Sequence, residues 1–61
     1  MNRKSGRQIG AAIQICIDLF YVTRDPLASM TKTLHTLQQI DWQPADIGRV
    51  ERIVRKILGV T

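Results

Sequence analysis

Apolar positions recur at helical spacing along most of the chain and predict three helices. The first covers about residues 8–22, with Gly6 as an alternative start, and carries two apolar stripes on roughly opposite sides. The stripes are Ile9, Ile13, Cys16, Ile17 and Phe20 on one side, and Ala11, Ile15, Leu19 and Val22 on the other. The β-branched run IQICI also fits a strand, but the length of the segment and its opposed stripes favour a helix. A helix that is apolar on both sides must be covered on both sides.

The second predicted helix covers about residues 26–40. Asp25 is a suitable N-cap, and Pro26 fits the first helical position, where the N–H that proline lacks would have no partner. A narrow apolar seam follows at spacings of three and four residues: Leu27, Met30, Leu34 and Leu37. The residues between them are mostly polar, and they include Thr33 and His35. We therefore expect most sides of this helix to face solvent.

The third predicted helix covers about residues 44–58. Pro44 can occupy its first turn, Asp46 lies near the positive end of the helix dipole, and Gly59 can end the helix. Its residues separate into a broad apolar face and a basic face. The apolar face consists of Ile47, Val50, Ile53, Val54, Ile57 and Leu58, and the basic face of Arg49, Arg52, Arg55 and Lys56. This helix is strongly amphipathic.

The chain has 61 residues, so its core is thin and it forms one domain at most. Cys16 is the single cysteine and His35 the single histidine, which leaves no internal disulfide and no zinc site to reinforce the core. Self-association is the remaining source of stability. We predict an all-α, compact three-helix domain over residues 1–61 that forms a homo-oligomer, with a dimer favoured. The predicted interface lies on the first helix: Ile9, Ile13, Ile15, Ile17, Leu19 and Phe20.

The chain is basic, with nine Lys and Arg against five Asp and Glu and a net charge of +4. This balance favours a nucleic acid, an anionic membrane or an acidic protein as the partner. Residues 1–7 are predicted to be a flexible basic arm. The candidate contact residues are the cations of the arm and of the third helix: Arg3, Lys4, Arg7, Arg49, Arg52, Arg55 and Lys56. The alternative is that the arginines only supply the solvated face of an amphipathic helix.

The segment around residues 34–58 resembles a helix-turn-helix motif, whose second helix enters the major groove of DNA. Apolar residues stand where the motif needs them, at Ile40, Trp42, Ile47 and Val50. Two positions depart from the pattern: Leu37 replaces a small residue, and Asp41 replaces the glycine of the turn. The resemblance implies an alternative function, a small DNA-binding regulator that uses this segment and the basic arm.

Other functional classes find little support in the residues. No Ser/His/Asp, Cys/His or paired-carboxylate arrangement can be assembled, so we expect no enzyme, cofactor or metal. The apolar run after the arm is interrupted by Gln14 and Asp18 and is too short to span a bilayer. We therefore expect a cytoplasmic protein that does not bind membranes. The favoured function is a non-catalytic regulator, an inhibitor or co-regulator of a transcription factor or another macromolecule, that binds itself and a protein partner.

Overall fold

The computed structural model describes residues 3–60, which form three helices and no strand. They are α1 (Gly6–Thr23), α2 (Pro26–Gln39) and α3 (Pro44–Leu58), and each helix contacts the other two. The molecule measures 35 × 20 × 19 Å along its principal axes. These features confirm the predicted all-α class and the compact arrangement of three helices.

Helix α1 begins at Gly6, the earlier of the two starts that the sequence pattern allowed. Ser5 is its N-cap, and a capping box joins Ser5 to Gln8: the Gln8 N–H donates to Ser5 Oγ at 3.3 Å, and the Ser5 N–H donates to Gln8 Oε1 at 3.0 Å. Gly6 and Arg7 therefore belong to the first turn of α1. The predicted flexible arm of residues 1–7 is shortened by this helix, and its first two residues lie outside the described residues.

Both connections between helices are short and fixed by local hydrogen bonds. Asp25 caps α2 through its side chain, which accepts the Ala28 N–H at 3.0 Å. At the other end of α2, the Trp42 N–H donates to the Leu37 carbonyl at 3.0 Å and the Asp41 N–H to the Gln38 carbonyl at 3.2 Å. Asp41 has a φ of 63°, in the left-handed region. This is a Schellman motif, and it turns Trp42 back toward the last turn of α2.

The core lies between the three helices. Its buried apolar residues are Ile9, Ala12 and Cys16 of α1, Met30 and Leu37 of α2, and Val50 and Val54 of α3. A ring of partly buried apolar side chains packs around it: Ile13, Leu34, Trp42, Ile47, Leu58 and Val60. Most of these side chains are of modest size, so the core is as thin as the chain length predicted.

The buried face of α2 differs from the predicted leucine seam. Ser29 and Thr33 are buried beside Met30 and Leu37, whereas Leu27 is 57% exposed. The buried hydroxyls have partners, since Thr33 Oγ1 donates to the Ser29 carbonyl at 2.8 Å and Thr23 Oγ1 lies 2.7 Å from Ser29 Oγ. The prediction that Thr33 faces solvent was wrong. Because α2 buries these small residues, it is rotated so that one edge of its leucine seam faces outward.

Candidate functional site

An uncharged apolar stripe lies on the outer surface of α1. It consists of Ala11, Ile15, Leu19 and Val22, and we call it the outer stripe. Ala11 is exposed, Ile15 is 48% exposed, Val22 is 81% exposed and Leu19 is half-buried. These residues occupy one face of the helix at spacings of three and four. The core of the chain thus covers only one of the two apolar sides of α1.

The predicted oligomer interface is divided between the core and the surface. Ile9 lies within the chain's own core, and Ile13 packs against that core. Ile17, Leu19 and Phe20 are half-buried, and Ile15 is exposed. Ile15 and Leu19 therefore belong to the outer stripe, while Ile9 has no surface to offer a partner.

A second apolar surface is a trough between α2 and α3. A depression of about 640 Å³ is floored by Leu27, Met30, Leu34, Trp42 and Ile47. A smaller depression of about 500 Å³ lies on a neighbouring face of α2, and the two share Leu27, Thr31 and His35 in their lining. We call the larger depression, which is lined by residues of both helices, the trough. It exists because α2 turns Leu27 outward and the Schellman motif brings Trp42 to the other end.

Charged groups on the walls of the two depressions differ in how far they are already paired. Glu51 accepts hydrogen bonds from Arg55 Nε at 3.0 Å and from Arg55 Nη2 at 2.9 Å. Asp25 is engaged as the cap of α2. Lys32 lines the smaller depression, and the Lys4 ammonium lies 5.2 Å from the centroid of the Trp42 ring. The four charged residues that line the two depressions, two acidic and two basic, therefore carry no net charge.

The segment before α1 docks onto the start of α3. The Lys4 N–H donates to both carboxylate oxygens of Asp46 at 3.3 Å, and Arg49 Nη1 donates to the Lys4 carbonyl at 3.2 Å. Arg49 also pairs with Asp46 Oδ1 at 3.4 Å. Asp46 is 1% exposed. A buried carboxylate therefore joins the segment before α1 to the first turn of α3, and Lys4 does not belong to a free arm.

The seven predicted contact cations are consequently not equivalent. Arg49 is half-buried and bonded to Asp46 and Lys4, and Arg55 is bonded to Glu51. Arg52 and Lys56 are exposed and flank Ile53 in a shallow hollow of about 210 Å³. Arg3 and Arg7 are exposed near the start of α1. Sequence reasoning missed the roles of Asp46 and Trp42 in this region, because both depend on contacts between distant parts of the chain.

The geometry of the α2–α3 connection bears on the helix-turn-helix resemblance. Four residues, Ile40–Gln43, separate the two helices, and Asp41 adopts the left-handed conformation that glycine usually supplies in the turn of this motif. One of the two departures in the sequence is therefore compatible with such a turn. The other persists, since Leu37 is buried where the motif has a small residue.

Cys16 and His35, the single cysteine and the single histidine of the chain, lie in different environments. Cys16 is completely buried in the core, and His35 is exposed on α2. Among residues 3–60 no three His, Cys, Asp or Glu side chains come together in a way that could hold a metal ion. In the same part of the chain, no helix has both the length and the apolar character required to cross a bilayer.

Comparisons with protein-family models, with curated proteins and with solved structures found no match to this chain.

Proposed function

We propose that this protein is a non-catalytic regulator that acts by contact with another protein and that works as a homodimer joined through α1. The observation that supports this proposal is the outer stripe. Three of its four side chains are exposed, and one of them is a valine with four-fifths of its surface in water. Apolar surface organised along one helix face is typical of a protein interface rather than of a solvated exterior.

The chemistry of the outer stripe favours a second copy of the same chain as its partner. The four side chains of the stripe carry no charge, and the exposed Asp18 at its edge accepts a hydrogen bond from Gln14. A partner surface that is apolar over about three turns of helix fits the stripe, and the same stripe meets that condition. A two-fold axis would bring the stripe against itself. Dimerisation would also compensate for a thin core in a chain of this length.

The rest of the surface would then be available for a target. The trough lies on α2 and α3, whereas the outer stripe lies on α1, so a dimer would present two troughs at once. The favoured mechanism is occlusion, in which the dimer covers a functional surface of its target. A two-site regulator gains avidity when both sites of a target can be reached together.

A small DNA-binding regulator is the second candidate function. It is favoured by the left-handed Asp41 in the connection between α2 and α3 and by the exposed cations Arg52 and Lys56 on α3. Arg49 is a weaker candidate for DNA contact than the sequence suggested, because its guanidinium is already bonded to Asp46 and Lys4.

One experiment separates these two functions. The tagged protein is purified from its native cells in low salt, with and without nuclease treatment, beside an Arg52→Ala/Lys56→Ala variant. We expect a protein partner in stoichiometric amount that survives nuclease and remains bound to the variant. Retained duplex DNA that is lost with nuclease and weakened in the variant would instead establish the DNA-binding function, since each lost phosphate contact lowers affinity and the salt dependence of binding.

A further inference from the structure

We infer that the two copies of α1 pack antiparallel in the proposed homodimer, with Arg7 of each copy paired to Asp18 of the other. This inference rests on the proposed function, and it names the orientation of the dimer and the contacts that select it. The outer stripe supplies the apolar contact between the copies, and the two charged residues at its edge determine the direction in which the helices run.

Arg7 and Asp18 are the only charged residues of α1, and both are exposed. They stand eleven residues apart in the sequence. At about 100° per residue this spacing is about 20° more than three full turns, so the two residues lie on the same edge of the helix, beside Ala11 of the outer stripe. They are about 16 Å apart along the helix axis, which is too far for them to pair within one chain.

Neither residue has an oppositely charged partner among residues 3–60. Both ion pairs of that part of the chain involve other residues and lie on α3. Asp18 accepts a hydrogen bond from the neutral amide of Gln14 at 2.9 Å. Arg7 lies in the first turn of α1, where the helix dipole disfavours a cation. The two charges are therefore available to a partner outside the chain.

A two-fold axis perpendicular to α1 pairs both charges at once. In an antiparallel pair of helices the same edge of each helix faces the other copy, and two-fold symmetry makes every contact occur twice. Arg7 opposite Asp18 therefore gives two equivalent ion pairs, with the axis passing between positions 12 and 13. In a parallel pair opposite edges meet, and the edge with Arg7 and Asp18 would face an edge of α1 that carries no charged residue.

The same register places the outer stripe in contact with the other copy. Positions 6–19 of the two helices overlap, which is about 21 Å or four turns of helix. Ile15 of one copy lies at nearly the same level as Ala11 of the other, so a large side chain meets a small one. Leu19 reaches the first turn of the other α1, and Val22 reaches the segment before it. One arrangement therefore provides both the apolar contact and the charge pairing.

Charge reversal tests the pairing. Arg7→Glu places a carboxylate against Asp18 of the other copy, and Asp18→Arg places a guanidinium against Arg7. Each variant should raise the dissociation constant of the dimer at least about tenfold, because two attractive pairs become repulsive. Sedimentation equilibrium measures this change. A glutamate in the first turn is favourable for α1 itself, so a weaker Arg7→Glu dimer does not result from loss of the helix, and circular dichroism verifies the helix content.

A mixture of the two variants gives the sharpest measurement. In a heterodimer of Arg7→Glu with Asp18→Arg, each contact joins one acidic and one basic side chain, whereas both homodimers bring like charges together. Native mass spectrometry of an equimolar mixture should therefore show the heterodimer in excess over a statistical distribution. The combined Arg7→Glu/Asp18→Arg chain should form a homodimer with a dissociation constant within about threefold of the original.

Lys32→Glu is the matched control. It makes the same change in net charge as Arg7→Glu, but at an exposed position of α2, and should leave the dissociation constant within about twofold. A statistical mixture of the two α1 variants would overturn the antiparallel pairing. So would α1 variants that dimerise as well as Lys32→Glu.

The same measurements distinguish failure of this inference from failure of the proposed function. If the original chain is a dimer that Ile15→Lys weakens but the charge variants do not, the dimer through the outer stripe stands and the antiparallel pairing fails. If the original chain remains a monomer at micromolar concentration, the proposed dimer fails, and the inference fails with it.

Discussion

The two apolar sides of α1 have similar compositions but differ in solvent exposure. One side supplies Ile9, Ala12 and Cys16 to the core, each at most 4% exposed. The other side, the outer stripe, leaves Ile15 and Val22 largely in water. Isoleucine thus appears on both sides of one helix, buried at one position and half-exposed six residues later. The comparison teaches that apolar character alone does not assign a residue to the core of its own chain.

The difference arises from how many partners α1 has. Helices α2 and α3 both pack against it, but two helices of 14 and 15 residues cover only part of its circumference. The side of α1 that carries Ile9, Ala12 and Cys16, which we call the inner side, therefore stabilises the fold of the chain. The outer stripe remains free to associate with a partner. Substitutions on the two sides should accordingly change different measurable quantities.

The largest expected effect comes from truncating the inner side. Ile9→Ala removes most of a buried side chain and leaves a cavity, which costs about 2–5 kcal/mol of unfolding free energy. Because so small a core supplies only about 3–5 kcal/mol, the variant should be substantially unfolded. Urea denaturation followed by circular dichroism measures this loss.

Ile15→Ala is the matched control for this substitution. At protein concentrations low enough for the monomer to dominate, the change should cost less than about 1 kcal/mol, because Ile15 is already half in water. If the two variants lost equal stability as monomers, the distinction between the inner side and the outer stripe would be incorrect.

The assignment of residues to core or surface could be predicted only in part from the sequence. The helix bounds were predicted within two residues, because Pro26 and Pro44 mark helix starts and Gly59 marks a helix end. The two stripes of α1 were also predictable from spacing. Which stripe faces inward was not, because this depends on packing against α2 and α3. Likewise, no local pattern distinguishes the buried Thr33 from the exposed Thr31 and Thr36.

An intermediate effect is expected when charge is placed on the outer stripe. Ile15→Lys would bury an ammonium group from each copy at the proposed dimer interface, where a charge without a partner is costly. We expect the dissociation constant of the dimer to rise about a hundredfold, or roughly 2.7 kcal/mol. Sedimentation equilibrium over a range of concentrations measures it.

Gln14→Lys supplies the control for the dimer measurement. Gln14 is exposed on α1 beside the outer stripe but not within it, and its side chain donates to Asp18. This variant should dimerise nearly as well as the original chain. A stable monomer for the unmodified protein at micromolar concentration would contradict the proposed dimer, and would leave the outer stripe without an assigned partner.

The candidate site was harder to predict than the fold, for an electrostatic reason. The sequence identifies the cations of the arm and of α3, but it does not reveal that Asp46 and Lys4 meet across 42 residues of chain. That contact occupies Arg49 and places the Lys4 ammonium at Trp42. Spacing rules describe neighbours on one helix, so they could pair Arg55 with Glu51 and Arg49 with Asp46, but they could not assign the contacts of Asp46 and Arg49 with Lys4.

The smallest of these effects should come from Asp46. The same contrast between buried and exposed positions applies here to two acidic residues, the buried Asp46 and the exposed Asp18. Asp46→Ala removes the acceptor of the Lys4 N–H and the partner of Arg49, at a cost of about 1–2 kcal/mol because the bonds are long and partly buried. Asp18→Ala removes an exposed carboxylate bonded only to Gln14 within the described chain, and should be nearly neutral.

Asp46→Ala should also change Trp42 emission, since releasing Lys4 removes a cation from the indole ring. Thermal unfolding and fluorescence of both variants measure the two consequences. An unchanged Trp42 spectrum in Asp46→Ala would mean that the Lys4 segment does not depend on Asp46 for its position beside the trough.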